Sequence, residues 1–572
     1  MDARTMETAD NATPLIAARP SWVTGWPGAT VAALLIMALY LFAASCWSLW
    51  DRDEGWYCRA AAEMVTSGNY LYPTYNGEFF PDKPILMYWL MAAAMNVLGP
   101  TEVAGRLFSA IGLSAACLLI WWIGRTLFDA RAGLWAMMAA ATSLMLLVVG
   151  QVATTDGILM PLVIGPVACF VAAVRRGPTA WQFIAMTILI GLAMLAKGPM
   201  GLIPLAVIGL ALWLGRKSLP LGWRYFLLCT LATLIGAAFY VAWAVQVDQA
   251  TGGRFWAAAV GKHIIGRALS PMEAHGGGTG WKYALYLPYY IPMTLLVFFP
   301  WTLHLPAAIS AALGNRLGGP VGKALLLAAV LPVLLVMSLA ATKLPTYVLP
   351  IWLGLSLAVG AMIRAWQTGA LAPRDLKWLH RGVWLMAPVG AFGGLLAIVG
   401  PWLTGLVHLR VCCGIGGVMI LVWTAGAVWI HRARGPVASA AWLAGGMAAL
   451  VVSLGLLVSP SLEQCKAIKP VMAQMRATVP ADAPVATYKF DEPTVYFYVG
   501  RKVLSLGAQP PQAAIEWLSQ DAQGAMVLTA EGLRTLEANG YRLPPGALIC
   551  SYRHFNLGKE GWVELLVIRR GP

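Results

Sequence analysis

The sequence predicts a polytopic α-helical membrane protein with a small α/β domain at its C-terminal end. Of 572 residues, 59% are hydrophobic and 11% are charged, which is roughly half the charged fraction of a soluble protein. Mean hydropathy is +0.69, and apolar runs of about 20 residues recur, the length a helix needs to cross a bilayer. Runs of this length argue against a barrel, whose strands have ~10 residues. We expect a retained first helix and no removable signal peptide, because no small-residue cleavage site precedes it.

Thirteen membrane spans follow from the apolar runs, over residues 27–48, 104–123, 133–150, 157–174, 181–196, 200–215, 225–246, 287–312, 323–341, 345–363, 382–402, 410–430 and 437–458. The segment 84–98 is too short to cross the bilayer and begins with Pro84. We therefore predict that it is a helix lying in the membrane interface.

The basic residues predict the orientation. With a cytoplasmic N-terminus, most Arg and Lys residues of the short loops fall inside, as membrane proteins prefer. Counting 84–98 as a span would place those basic loops outside. The net charge of +15 thus belongs to loops beside lipid headgroups, and we expect no nucleic-acid partner. Three larger pieces remain outside: loop 49–103, loop 247–286 and the tail from residue 459.

The tail from residue 459 has a different sequence pattern from the membrane-spanning part of the chain. Strand-like stretches at 493–499, 503–506, 525–529 and 563–568 alternate with helix-like stretches at 512–519 and 530–539. This alternation predicts an α/β domain over 459–572, following a membrane domain over 1–458. Cys465 and Cys550 both lie in the tail and could form a disulfide if it is outside the cytosol.

Polar side chains recur at the predicted outer face of the membrane. Charges are costly in an apolar chain and collect where water or a substrate meets the bilayer. The acidic pair Asp53-Glu54 follows the first span, and Asp156 follows the third. The remaining candidates are Asp82 and Lys83 in the first loop, Lys197 after the fifth span, Arg254, Lys262, His263 and Arg267 in loop 247–286, and the string Lys343-Leu344-Pro345-Thr346-Tyr347.

Each of these residues also has an ordinary explanation. An isolated Asp or Lys at a helix end is most often a solvated anchor or a partner of the helix dipole. His263 alone is more often a packing or surface residue than a metal ligand, and Tyr347 is equally typical of a membrane interface. The occurrence of all these residues at one predicted face of the membrane favours a functional site. Cations at headgroup level suit a lipid-linked phosphate, and carboxylates beside them suit a sugar hydroxyl, an amine or a cation-like sugar centre.

This combination resembles the C-type glycosyltransferases (GT-C type) that use polyprenyl phosphosugars. Within that superfamily it is similar to the bacterial lipid A aminoarabinose transferases, which are related to protein O-mannosyltransferases. The resemblance implies transfer of 4-amino-4-deoxy-L-arabinose from undecaprenyl phosphate to a lipid A phosphate, at the periplasmic side of the inner membrane and with inversion at the sugar. Masking that phosphate would confer resistance to cationic antimicrobial peptides such as polymyxin.

The resemblance also implies roles for individual residues. Asp53 matches the catalytic carboxylate of the family, and Asp156 would be a second active-site acid. The substrate-binding residues would be Glu54 in a supporting role, Lys83 and Arg267 at the donor phosphate, and Lys343 and Tyr347 close by. No cofactor is expected to be required, although Asp82 and His263 could hold a divalent metal ion.

Two other functions stay open. A related transferase could use another lipid-linked sugar or a protein acceptor, as in O-mannosylation. A transporter of lipids or solutes would place charges near the bilayer midplane and often shows two repeated halves, whereas these charges gather at one surface. A purely structural anchor would not need thirteen spans.

Overall fold

The computed structural model describes residues 22–50, 52–266, 281–404, 407–556 and 561–570. In chain order its first helices are α1 (Trp26–Ser45), α2 (Asp53–Ser67), α3 (Leu86–Leu98), α4 (Glu102–Leu127), α5 (Ala130–Ala141), α6 (Leu144–Val149), α7 (Thr155–Arg176), α8 (Ala180–Lys197), α9 (Ile203–Leu214) and α10 (Trp223–Ala250). Two short strands, β1 (Thr74–Tyr75) and β2 (Glu78–Phe79), form a hairpin between α2 and α3.

The later α-helices are Arg254–Trp256, Trp281–Tyr286, Tyr290–Val297, Leu305–Leu313, Gly319–Ala328, Leu331–Leu339, Trp352–Gln367, Pro373–Leu403, Arg410–Arg434, Pro436–Ser453, Ser459–Glu463, Ile468–Thr478, Pro493–Val499, Pro511–Leu518 and Ala530–Ala538. Short 3₁₀ turns occupy Gly198–Leu202, Leu287–Tyr289, Trp301–His304, Pro345–Ile351 and Val407–Leu409, and π-helical turns occupy Ala257–Gly266 and Leu454–Val458.

The structure confirms a helical protein with many spans. Within the described residues, ten helices are long and apolar enough to cross a membrane, or eleven if Trp281–Val297 and Trp301–Leu313, bent by 105°, make one span. The sequence predicts thirteen. The difference arises at two places, the run 133–150 and the run 181–215.

The run 133–150 is divided into α5, with 12 residues, and α6, with 6. The break falls at Thr142 and Ser143, both buried. Trp301 donates its indole N–H to Thr142 Oγ1 at 3.0 Å, and Trp352 donates to Ser143 Oγ at 2.7 Å. Since buried hydroxyls need partners, these indoles stabilise the break that divides the predicted span.

The second place is the apolar run Ala180–Leu214, whose 35 residues pass as one span by length and composition. The chain nevertheless turns back within it. Gly198 has φ +54°, and a Cβ on Gly201 would lie 3.0 Å from the backbone nitrogen of Met194. A straight helix would separate residues seven apart by about 10 Å along its axis. The run therefore holds two helices, α8 and α9, as the sequence predicts.

The first outer loop is folded around Glu63. Its carboxylate accepts hydrogen bonds from Thr74 Oγ1 at 2.8 Å, Asn76 N at 2.7 Å and Gly77 N at 3.1 Å, which fastens the β-hairpin to α2. Asn76 and Gly77 both have positive φ, the conformation that Asn-Gly hairpin turns require. α3, with 13 residues, corresponds to the predicted helix 84–98 and is below spanning length. Its place in the interface stays a prediction.

The tail contains five strands, which are β3 (Val485–Tyr488), β4 (Val503–Ser505), β5 (Gly524–Thr529), β6 (Leu548–Asn556) and β7 (Gly561–Arg570). They form one mixed sheet in the order β4-β3-β5-β7-β6. The predicted strands at 503–506, 525–529 and 563–568 and both predicted helices are confirmed. Helical structure continues past residue 458 to Glu463, and the boundary at 459 stays a prediction.

The predicted strand at 493–499 is wrong, because these residues form the helix Pro493–Val499. Pro493 occupies its first turn, where proline is well tolerated. All seven residues are buried, so the β-branched and aromatic side chains pack on every side and tertiary contacts override their strand preference.

The tail packs directly on the first outer loop. A Cβ on Gly55 of α2 would lie 2.7 Å from the carbonyl carbon of Pro493. Asn76 also pairs with the backbone of Val503 through two hydrogen bonds of 2.8 and 2.9 Å. Cys465 and Cys550 are both buried, and no disulfide bond joins them within the described part of the chain.

Candidate active site

A cavity of about 370 Å³ opens between the first outer loop and the helix bundle. Its polar wall is formed by Asp82, Lys83, Lys197 and Tyr347. Much of the remaining wall is apolar and includes Tyr240, Phe255, Val336, Met337 and Ala340. The structure thus brings four of the candidate residues, Asp82, Lys83, Lys197 and Tyr347, to one cavity.

Asp156 and Lys197 form an ion pair beside this cavity. Thr154 caps α7, which places Asp156 in the first helical turn, where the helix dipole favours a negative charge. Lys197 is the last residue of α8, where the dipole favours a positive one. The Lys197 ammonium lies 2.5 Å from Asp156 Oδ1 and 5.1 Å from the centre of the Tyr347 ring. Asp156 is therefore joined to the cavity wall through Lys197.

Asp82 and Lys83 form the second pair. The Lys83 ammonium donates to Asp82 Oδ2 at 2.7 Å, and Tyr57 of α2 donates its hydroxyl to the same oxygen at 2.8 Å. The side chains of Asp82 and Lys83 are mostly buried. Tyr57 was not predicted from the sequence, and the only signal for it is its position four residues after Asp53 on one helix face.

Asp53 begins α2 and is exposed. Burial and then the negative charges of Asp82 and Asp53 raise the pKa of Tyr57 well above its usual value. The same causes raise the pKa of Tyr88, whose buried hydroxyl has no hydrogen-bond partner within the described residues. The negative charges of Asp53 and Asp82 therefore help to raise the pKa of two buried phenols, Tyr57 and Tyr88. The rings of these two tyrosines meet edge to face, with their centres 6.1 Å apart.

Glu54 lies on the other side of α2 and is 4% exposed. Arg106 donates Nε to Glu54 Oε1 at 2.8 Å and Nη2 to Oε2 at 2.6 Å. The backbone nitrogens of Trp50 and Ala153 also donate to this carboxylate, at 2.8 and 2.6 Å. Both oxygens are thus occupied, which favours a structural role. That Glu54 contacts substrate stays a prediction.

The contacts of the Glu54 carboxylate also show where the two predicted catalytic acids, Asp53 and Asp156, lie relative to each other. Glu54 follows Asp53 directly, and Ala153, which donates to it, lies three residues before Asp156. Asp53 and Asp156 consequently lie at the same end of the helix bundle. This is the arrangement that one site for both acids requires.

Lys343 is 3% exposed and does not face the cavity in this structure. Its ammonium donates to the carbonyl oxygens of Met337 at 3.1 Å and Ser338 at 2.5 Å, near the C-terminus of helix Leu331–Leu339. A cation there stabilises the free carbonyls of the last turn. Its predicted role in substrate binding is not tested by these contacts.

The remaining predicted residues belong to loop 247–286. Arg267 lies outside the described residues, and so does the side chain of His263. Within the residues that the structure describes, no three His, Cys, Asp or Glu side chains are placed to hold a metal ion. Asp82 is engaged by Lys83 and Tyr57, so a metal ion there would compete with an ammonium group.

Helix bundle, folded outer loop and C-terminal sheet together define a multi-span membrane protein with the GT-C fold. The structure is similar to the crystal structure of ArnT from Cupriavidus metallidurans bound to undecaprenyl phosphate, with a TM-score of 0.75 over 96% of this chain and 98% of that chain. Sequence identity in this comparison is 18%, so it shows the fold.

Sequence relatives specify the resemblance further. Residues 82–243 match the family described as dolichyl-phosphate-mannose-protein mannosyltransferase. Undecaprenyl phosphate-alpha-4-amino-4-deoxy-L-arabinose arabinosyl transferase 2 of Proteus mirabilis is 29% identical over 331 residues, 56% of this chain and 57% of that relative. The corresponding transferase of Edwardsiella ictaluri is 26% identical over 519 residues, 86% of this chain and 89% of the relative. The resemblance that the motifs indicate is thereby confirmed.

Proposed function

We propose that this chain is an inner-membrane glycosyltransferase that moves 4-amino-4-deoxy-L-arabinose from undecaprenyl phosphate to a phosphate of lipid A. The observation that carries the proposal is the cavity at which Asp82, Lys83 and Lys197 meet an apolar wall, with Asp156 bound to Lys197. The arabinosyl transferase of Edwardsiella ictaluri, aligned over 86% of this chain, supports the choice of sugar and donor.

Lys83 and Lys197 would hold the donor phosphate. An ammonium is a compact charge that binds phosphate oxygens well, and both are already desolvated by mostly buried surroundings. The polyprenyl chain would lie along Phe255, Val336 and Met337, which face the same cavity. Arg267, outside the described residues, is proposed as a further phosphate ligand because the family resemblance implies that role.

The transfer is a single displacement at the anomeric carbon. An oxygen of the acceptor phosphate forms a bond to that carbon, and the bond from the carbon to the donor phosphate oxygen breaks. Undecaprenyl phosphate leaves with the electron pair, and the lysine charges stabilise it. An acceptor phosphate is ionised near neutral pH and needs no strong base. Asp53 and Asp156 would therefore orient the sugar and offset positive charge at its ring, and one displacement inverts the configuration.

The site would open to the periplasm. Positive loops at the opposite end of the bundle favour a cytoplasmic N-terminus, and Asp53, Asp156 and the tail share the other end. The proposal assigns no step to a metal ion. A divalent ion bound by Asp82 and His263 stays a separate hypothesis, checked by comparing activity before and after chelation.

The test is mass spectrometry of lipid A from cells that make the chain, the Asp53→Ala variant or no transferase. We expect a pentosamine increment with the unaltered chain that is lost with Asp53→Ala. Asp129→Asn is the matched control, because Asp129 pairs with Arg364 away from the cavity.

The same cells distinguish the alternatives. Unmodified lipid A together with glycosylated protein would favour the O-mannosyltransferase-like function. Unmodified lipid A with proton-dependent flux in proteoliposomes would favour transport. Either result would overturn the proposed function.

A further inference from the structure

A second cavity, of about 270 Å³, lies where α2, the connection from α3 to α4 and the tail meet. Arg59 and Thr66 reach it from α2, Glu102 from the start of α4, and Lys469 and Arg476 from helix Ile468–Thr478. Arg59 and Tyr57 are two residues apart on α2 and so point to opposite faces of that helix. The cavity is therefore separate from the candidate active site.

The cations of this cavity are incompletely neutralised. Arg59 is 6% exposed and donates Nε to Glu63 at 2.7 Å, and its two Nη groups have no hydrogen bond to any residue that the structure describes. Lys469 pairs with Glu102 at 2.6 Å. Arg476 forms no ion pair within the described part of the chain. Two carboxylates thus face three cations, leaving one positive charge in excess.

The position of the cavity indicates what kind of anion it would take. Glu102 begins the candidate span Glu102–Leu127, so the cavity lies at the level where a span enters the headgroup region. The adjacent end of α3 exposes Val97 by 83% and Leu98 by 47%. Apolar side chains at that level contact acyl chains, whereas a soluble anion would gain nothing from them.

We propose that this cavity binds the headgroup of an anionic membrane lipid, with its phosphate on Arg59 and Arg476 and its acyl chains along Val97 and Leu98. A phosphodiester carries one negative charge, which would balance the one positive charge in excess in the cavity. A guanidinium group can donate two parallel hydrogen bonds to two phosphate oxygens. Such a lipid would join the first outer loop to the tail. The inference does not rest on the proposed transfer reaction.

Two variants test the proposal in the full chain. Arg476→Glu reverses the exposed, unpaired charge, and Thr66→Trp fills the cavity from its exposed rim without changing charge. Arg534→Glu is the matched control, because Arg534 is also exposed on a tail helix, lies outside the cavity and gives the same net charge. Circular dichroism would confirm that all three variants fold.

Binding is measured by native mass spectrometry of the chain in zwitterionic detergent, titrated with phosphatidylglycerol or phosphatidylcholine. We expect the most tightly bound phosphatidylglycerol molecule to have an affinity about tenfold lower for Arg476→Glu and for Thr66→Trp than for the unaltered chain. Its affinity for Arg534→Glu should be unchanged. Equal binding of the two lipids, or unchanged binding in both cavity variants, would overturn the proposal. Displacement of the lipid by an equal concentration of inorganic phosphate would show a free-anion site instead and would also overturn it.

Discussion

Arg106 and Glu54 form a fully buried, two-point ion pair that joins the start of α2 to α4. Arg106 is 0% exposed and also donates to the carbonyl oxygens of Ala44 and Trp47, both at 2.7 Å. The pair thus fixes the chain that leaves the first span and positions the helix that begins with Asp53. Its geometry and its full hydrogen bonding offset the cost of burying two charges.

Breaking this pair on one side should be strongly destabilising. Arg106→Met or Glu54→Leu leaves an uncompensated buried charge, and we expect a loss of about 3–5 kcal/mol in each case. The double variant should lose less than the sum of the two, because it removes both charges together. Thermal unfolding of the purified chain in detergent measures all three. Strict additivity would show that the two residues act independently.

Asp156→Asn should reduce transfer by about 100-fold or more, because it removes the negative charge that binds Lys197 and that we place beside the sugar. Lys197→Met should mainly raise KM for the lipid donor. The assay uses purified donor and lipid A, with Asp129→Asn as control, since Asn also caps a helix well. Activity of Asp156→Asn within threefold of the unaltered chain would remove Asp156 from the site.

The two buried phenols should respond in opposite ways to loss of the hydroxyl. Tyr57→Phe removes a hydrogen bond to a carboxylate and should cost about 1.5–3 kcal/mol. Tyr88→Phe removes a buried hydroxyl without a described partner and should leave the stability unchanged or raise it by about 1 kcal/mol. Thermal unfolding of the two variants compares them directly. Equal destabilisation would show that Tyr88 has a partner comparable to that of Tyr57.

The folded tail should lose stability in acid. His554 is buried in the tail and accepts a hydrogen bond from Ala467 N at 3.2 Å. Burial and then the charge of Lys466 lower its pKa to about 4. An unfolded histidine has a pKa of about 6.5, so the unfolded chain takes up the proton first. The stabilisation is therefore complete above pH ~6.5 and is lost as the pH falls toward about 4, by up to about 3 kcal/mol.

Limited proteolysis of the tail between pH 7 and pH 4.5 measures this loss. The His554→Gln variant keeps a polar side chain without a titrating group and should show a flatter profile. A steep profile in that variant would assign the pH response to another group.

Much of the membrane architecture could be predicted because apolar length alone determines it. The length of α3 separates it from the spans, and the sequence also predicts α8 and α9 as two helices. The break between α5 and α6 could not be predicted, since it depends on indoles of Trp301 and Trp352 that lie far away in the sequence. The helix Pro493–Val499 was missed for a similar reason, because its Val, Tyr and Phe residues favour a strand until tertiary packing surrounds them.

The site was predicted in part. The sequence indicates four of its charged residues, because a carboxylate or ammonium group is costly in an apolar chain and is retained where it has a function. These residues are Asp53, Asp82, Lys83 and Asp156. The sequence does not indicate a role for Arg106, because a single charge near the start of an apolar run is typical of an anchor. Its partner Glu54 lies 52 residues earlier in the sequence, and only the folded chain shows the two together.

The contact of Gly55 with Pro493 has a consequence for evolution and engineering. With no side chain on α2 at this point, one backbone rests on another, and nothing compressible lies between them. A small displacement of the helix Pro493–Val499 would therefore be transmitted directly to the turn of α2 that begins with Asp53. Replacing the tail with that of a relative should therefore require the two surfaces to be exchanged as a matched set.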